Sequence, residues 1–191
     1  FSSRSCGNNK MMRKFLFICF IISIFFTSNA FSNCDFQIMD FGKTQNDLKK
    51  VINFPEEATL FSMTDEFGGE TVIIPLIEIC SDDEKLLGIK GEYLFINDKL
   101  EQIQISRALM SDRYLMELAM KKYGKFPLPE GLPIEQWKGN YYWEKGDTLI
   151  EFLVTDIYGG KLEMIGIQRL KGSSAFNKYN EKLGKWLDTQ K

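Results

Sequence analysis

"GEYLFINDKLEQIQIS", Gly91 to Ser106, reads as two strands and the turn that joins them. Asn97-Asp98 supplies the turn, because these residues tolerate the left-handed backbone that a two-residue hairpin needs. The first arm (91–98) is aromatic and β-branched. In the second (99–106), Leu100, Ile103 and Ile105 are the apolar positions. A hairpin of this kind places an antiparallel sheet at the centre of the fold.

The second arm occurs twice. "KLEQIQI" (99–105) and "KLEMIGI" (161–167) share the pattern K-L-E-x-I-x-I, each after a hairpin turn and each downstream of a capped helix and a set of strands. The chain reads as two α-then-β units in tandem, roughly 42–106 and 110–169. A common hairpin arm that matches by chance is the alternative.

The segments around the two arms fit this plan. Thr44-Gln45-Asn46-Asp47 starts a helix over about 44–53, with Thr as cap, Asp near the positive end, a stripe of Leu48, Val51 and Ile52, and Pro55 just beyond. "ATLFSM" (58–63) is a strand, "DEFGGE" (65–70) a turn. "TVIIPLIEIC" (71–80) is a strand that Pro75 makes an edge, bulged or broken one. Ser111 caps a second helix (112–123), with Tyr114, Leu115, Leu118 and Ala119 on one face and Gly124 as its stop. "FPLPEGLP" (126–133) is a loop. Strands follow at 140–145, 148–156 and 161–169, and a C-terminal helix at 174–188 is capped by Ser173 or Ser174. Phe176, Tyr179, Leu183, Trp186 and Leu187 form its apolar face, and the lysines opposite, Lys178, Lys182 and Lys185, are diluted by Glu181 and Asp188, so it packs on the sheet. The expected class is α+β: an antiparallel sheet with helices packed on one face, within one globular domain over 31–191.

Ahead of that domain lies "MMRKFLFICFIISIFFTSNAFSNC" (11–34). Met11 or Met12 reads as the natural start, and 1–10 as an upstream extension. Arg13-Lys14 is a positive flank. The apolar run from Phe15 to Phe26 is 12 residues long. That spans roughly 18 Å of a hydrocarbon core about 30 Å thick, so the run is a signal h-region rather than an anchor. Ser28-Asn29-Ala30 and Ala30-Phe31-Ser32 both present small residues for cleavage. The expectation is a signal peptide over 11–30, a periplasmic or secreted protein, and no stable membrane span after cleavage. The alternative is an envelope component held by an uncleaved leader.

Export changes the charge and the cysteine count. The chain has 191 residues, 44% hydrophobic and 26% charged. Residues 1–30 hold four of the 24 basic residues and no acid, so the remainder carries 20 basic against 26 acidic, a net of −6. That balance argues against nucleic acid and against an anionic membrane surface. Cys6 and Cys19 leave with the leader. Cys34 and Cys80 remain, and a disulfide between them is the default in an exported protein. Lipidation of Cys34 is disfavoured by Phe31-Ser32-Asn33 before it, because Asn33 is too large at the critical place.

"FGKTQNDLKKVINFP" (41–55), with its Gly-x-Thr helix start and following Pro, and the hairpin "YLFINDKL" (93–100) carry a resemblance. A short helix followed by antiparallel strands, used twice in an exported protein with a disulfide, resembles the β-lactamase-inhibitor-like fold. The outer-membrane assembly lipoproteins of the SmpA/OmlA type share a related unit. Those families bind proteins and are not enzymes, so the resemblance implies a binding role. This chain departs from them in lacking a lipobox, and no set of binding residues transfers.

The chain contains no histidine. Ser-His-Asp and Cys-His nucleophile systems are thereby excluded, as are zinc sites that use histidine. No G-x-S-x-G, P-loop or dinucleotide glycine pattern occurs, and no cofactor is implied. Asp82-Asp83-Glu84 lacks the spacing and glycine of a calcium loop and reads as a solvated turn. One constellation remains. Trp137, Tyr141, Tyr142 and Trp143 lie near Glu144, Asp147 and Glu151, and aromatics beside acids are what a sugar site needs. In a strand, Tyr141 and Trp143 share one face and Tyr142 and Glu144 the other. The structural reading of this segment is therefore core packing on one side. The functional readings are contact with a ligand or protein partner, or a carbohydrate-acting enzyme. A binding module for a protein or small ligand, working through the sheet face or residues 137–143, is the function the sequence favours.

Overall fold

The computed structural model describes residues 35–53, 60–80, 83–108 and 112–190. Its strands are β1 (Ser62–Thr64), β2 (Gly69–Pro75), β3 (Lys90–Ile96), β4 (Lys99–Ala108), β5 (Gly139–Lys145), β6 (Thr148–Ile157) and β7 (Gly160–Arg169). Its α-helices are α1 (Gln45–Val51), α2 (Leu76–Ile79), α3 (Tyr114–Tyr123) and α4 (Ser174–Thr189). All seven strands join one antiparallel sheet in the order β1-β2-β3-β4-β7-β6-β5. The chain is an α+β protein, as its sequence leads one to expect. Residues 33–191 form one compact unit, and the segment 11–30 expected to be a signal peptide lies outside the described residues.

Local chemistry explains the element ends. Thr44 caps α1 by a capping box: its hydroxyl accepts the Asp47 N–H, and the Asp47 carboxylate accepts the Thr44 N–H at 2.9 Å. Asn97 and Asp98 both take positive φ, +52° and +56°, and so close the β3–β4 hairpin. Pro75 ends β2 and starts the single turn of α2, which resolves the ambiguity of "TVIIPLIEIC": the strand is broken rather than placed at the edge. Helix α3 begins later than its sequence suggests. Its N-cap is Arg113, and the Asp112 carboxylate accepts the Tyr114 N–H at 3.0 Å, while Ser111 lies outside the described residues. Ser173, rather than Ser174, caps α4.

The centre of the sheet has a two-fold order. In the β4–β7 pair, Ile103 lies opposite Ile167 and Ile105 opposite Ile165. Aligning the two K-L-E-x-I-x-I matches makes Ile103 equivalent to Ile165, and Ile105 to Ile167. Equivalent residues therefore exchange places across the pair, and Gln104 meets its own equivalent, Gly166. From this axis the sheet runs β4-β3-β2 on one side and β7-β6-β5 on the other, with α1 and α3 preceding the two sets. Among the described residues strand β1 has no counterpart.

The main core lies on one face. Val72, Tyr93, Phe95, Ile103, Ile105, Ile150, Phe152, Ile165 and Ile167 meet Leu48 of α1, Leu76 of α2, and Leu115 and Ala119 of α3. Phe36 is fully buried in the same cluster and ties residues just after Cys34 to the sheet. Helix α4 goes elsewhere. Leu94 and Ile96, which alternate with Tyr93 and Phe95, form a separate cluster with Phe176 of α4. So α1–α3 share one face and α4 lies on the opposite one, which corrects the expectation that all helices pack on one face. Tyr179 of α4 donates its hydroxyl to Asp65 at 2.6 Å, and Phe67 packs edge-on against Tyr179 and Trp186. Beyond Leu183 the helix is exposed.

Candidate functional site

The aromatic segment divides between the two faces as strand alternation requires. Trp137 and Trp143 are each 8% exposed and belong to the main core. The Trp143 indole donates to the Gly124 carbonyl at 3.0 Å, just past the end of α3. Tyr141 stacks on Phe126, ring centroids 4.6 Å apart and planes 17° apart, and Trp137 stacks on Phe152 at 6.0 Å. These three side chains hold the 126–137 loop against β5 and β6; they are not a presented surface. Tyr142 alone lies on the opposite face, 50% exposed. Its hydroxyl donates to Glu151 at 2.9 Å and accepts from the Asn140 amide at 2.8 Å. The hydrogen bond to Glu151 raises the Tyr142 pKa. Glu144 and Asp147 are exposed on the strand and its turn. The core aromatics and these acids therefore do not line one cleft, which a sugar site of this kind needs.

The face that Tyr142 shares is the larger feature. Along β4, β6 and β7 the burial alternates regularly. The core set is buried, and the other set is half-exposed. The second set comprises Gln102, Gln104 and Ser106 on β4, Leu162, Met164, Gly166 and Gln168 on β7, and Leu149, Glu151, Leu153 and Thr155 on β6. Gly166 is itself buried, yet beyond its chain neighbours no heavy atom lies within 4 Å of the place where its Cβ would stand. Gln104, its opposite neighbour, donates to Glu92 at 3.4 Å. Glu151 is the one charged residue of this set, in a chain that is 26% charged.

A second polar feature sits at the edge of the core, where β4, β7 and α3 meet. Arg107, Arg113 and Glu163 are all buried. Arg107 Nε lies 3.7 Å and Arg113 Nη1 3.8 Å from the Glu163 carboxylate. Arg107 also pairs with Asp112 at 2.7 Å, and Arg113 donates to the Ile134 and Glu135 carbonyls at 3.3 and 2.5 Å. Burial pushes the Glu163 carboxyl up to about 7, against the pull of both arginines and the Leu115 amide. The equivalent glutamate of the first unit, Glu101, is buried too and accepts from Ser173 at 2.7 Å. Because β4 and β7 are antiparallel, each glutamate meets the start of the helix that follows the other strand. The sequence carried a sign of this: Glu163 shares the parity of Ile165 and Ile167, so it points into the core.

An open cavity of about 230 Å³ adjoins this cluster, lined by Glu84, Lys85, Leu87, Arg107, Asp112, Tyr114 and Glu117. The turn weighed as a calcium site runs beside it. Asp83 accepts the Tyr114 hydroxyl and the Lys85 N–H, so its oxygens serve the fold, and Asp82 lies outside the described residues. Cys80 ends α2, half-buried and packed against the core that holds Phe36; Cys34 lies outside the described residues. Among the described residues no helix is long and apolar enough to cross a membrane.

No family model, no curated protein and no solved structure matches this chain.

Proposed function

We propose that this chain is an exported binding module whose contact surface is the back face of β4, β7 and β6, for a protein partner or an extended ligand. One observation carries the reading. The eleven residues of that face are three glutamines, three leucines, a methionine, a glycine, a serine, a threonine and a single charged residue. The outer face of an antiparallel sheet that meets only water is typically charged and polar. Depletion of charge, with apolar and amide side chains side by side, is the composition of an interface centre. The empty space over Gly166, beside Gln104, gives the face a recess at its middle. Tyr142 and its bonded partners Asn140 and Glu151 stand at the rim, where a tyrosine is a common anchor.

The export part of the proposal rests on the leader and on a Cys34–Cys80 disulfide. Two features support that pairing. Asp35, next to Cys34, is bonded to Lys122, and Phe36 is buried in the cluster against which Cys80 packs. The carbohydrate-acting alternative loses its platform, because Trp137, Tyr141 and Trp143 serve the core.

Affinity capture from the native envelope tests the binding face. Wild-type domain, a Leu153→Lys/Met164→Lys variant and a Tyr158→Lys control at the fully exposed hairpin turn are compared by mass spectrometry. A partner held by wild type and control but lost by the face variant is the expected result. A partner retained by all three would place the contact elsewhere.

A further inference from the structure

Among the described residues the outer edge of β5 is unpaired, whereas its counterpart is paired. Under the two-fold order of the sheet, β5 corresponds to β2, and β2 carries β1 along its outer edge, with Ser62 opposite Val72 and Thr64 opposite Glu70. Strand β5 is seven residues long and pairs with β6 alone. Among the described residues no backbone–backbone hydrogen bond outside the β5–β6 ladder involves residues 139–145.

The turn decides which groups face outward. Gly146-Asp147 is a two-residue turn closed by the Lys145–Thr148 pair, with Gly146 at φ +62°. The closing pair of such a hairpin exchanges both its hydrogen bonds, and every second residue repeats the pattern. Lys145, Trp143, Tyr141 and Gly139 therefore spend their N–H and C=O groups on β6. Asn140, Tyr142 and Glu144 direct theirs outward. The Asn140 and Tyr142 side chains reach back to Glu151 on β6, which leaves this backbone uncovered. The usual defences of an exposed edge are extreme shortness, a bulge, an outward proline or charged side chains, lysine above all. The β5–β6 register is regular, and the three outward positions hold no proline and no lysine; their one charge is Glu144.

The strand is also complementary to itself. In an antiparallel pair centred on Tyr142, Tyr142 meets Tyr142 of the other copy, and Asn140 meets Glu144, an amide against a carboxylate. Lys145 meets Gly139, which has no side chain in its way. No like charges face each other, which an isologous pair requires. We propose that a second copy of this chain docks on β5 through its own β5, antiparallel across a two-fold axis at Tyr142. The two sheets then run on as one, and the two back faces lie side by side. The idea is independent of what that face binds. A single strand pair is a small interface, so the dimer dissociates on dilution.

Sedimentation of the mature domain over a hundredfold concentration range tests this. The weight-average mass is expected to rise from one copy towards two. Asn140→Pro removes one outward N–H and none that serves β6, a position where an edge strand tolerates proline. It is expected to keep the wild-type melting curve and sediment as one copy throughout. A short bis-maleimide reagent is expected to join Tyr142→Cys chains, mapped by peptide masses. It is expected to leave Asn140→Cys chains single, since those positions stand roughly 14 Å apart along the pair at 3.4 Å per residue. A wild type that stays single at every concentration overturns the proposal. So does a folded Asn140→Pro variant that dimerises as well as wild type. If Asn140→Pro does not fold, the reagent decides: linkage at 140 without linkage at 142 overturns it.

Discussion

Ser173 ties the C-terminal helix to the centre of the sheet through Glu101. Its hydroxyl accepts the Phe176 N–H at 3.0 Å as the N-cap of α4 and donates to the buried Glu101 carboxylate at 2.7 Å. The other Glu101 oxygen has no hydrogen-bond partner among the described groups. Ser173→Ala is therefore expected to cost about 2 kcal/mol, from the lost cap and from a buried acceptor left bare. Ser173→Asp, ordinarily as good a cap as serine, is expected to be no better than alanine, because it sets a second carboxylate against Glu101. Urea unfolding of the three proteins checks both, and a fully stable Asp variant would contradict the contact.

Glu163 makes stability depend on pH in a definite direction. Burial raises its carboxyl to about 7 in the folded protein, against 4.5 ordinarily. The folded chain keeps this proton where the unfolded chain has released it. The contribution is therefore whole below pH 4.5 and lost as pH rises through about 7. Glu163→Gln cannot ionise. Melting temperatures of wild type and variant, measured at intervals from pH 5 to pH 8, are expected to show wild type losing ground steadily. Groups common to both proteins cancel in the difference. A difference that is flat or moves in favour of wild type would show that the arginines hold Glu163 ionised throughout.

The proposed Cys34–Cys80 disulfide would close a long loop. In the chain-entropy model it adds about 4 kcal/mol of stability, and often less in practice. Intact mass after alkylation of the unreduced mature protein is expected to show no added label, and two labels after reduction. Cys80→Ser is expected to lower the melting temperature. Two labels without reductant would remove the bond from the account.

The three tryptophans report on the two faces separately. Trp137 and Trp143 are each 8% exposed, and Trp186 is 41% exposed. Trp186→Phe is expected to shift the emission maximum to shorter wavelength and to cut quenching by acrylamide several-fold. Trp143→Phe keeps an aromatic ring but loses the bond to the Gly124 carbonyl, and is expected to cost about 1 kcal/mol in urea unfolding. An unchanged quenching slope in Trp186→Phe would mean that the core indoles are open to solvent.

The hairpin 91–106, the helices starting near 44 and 174, an interruption at Pro75 and the strands after 139 were all legible, because each rests on local chemistry: caps, turn residues and a period of two. Alternation also told Tyr141 and Trp143 from Tyr142. Trp137 lies outside the strand, and only its stacking on Phe152 assigns it to the core. Helix α4 has an apolar stripe that fits either face of a sheet. Its placement depends on Leu94 and Ile96, on a strand whose other alternate residues are taken by the main core.

By itself, then, the sequence determined the class, the acidic balance of the domain and the element order apart from the helical turn Leu76–Ile79, because patterns over a few residues specify strands, helices and turns. It also held the K-L-E-x-I-x-I match. The tertiary structure decided what that match does. Pairing β4 with β7 brings the two copies together, with Gln104 opposite Gly166, and buries both glutamates at the starts of two helices. Strand order, the bare edge of β5 and the low charge of the back face arise between residues far apart in the chain, and no local pattern encodes them.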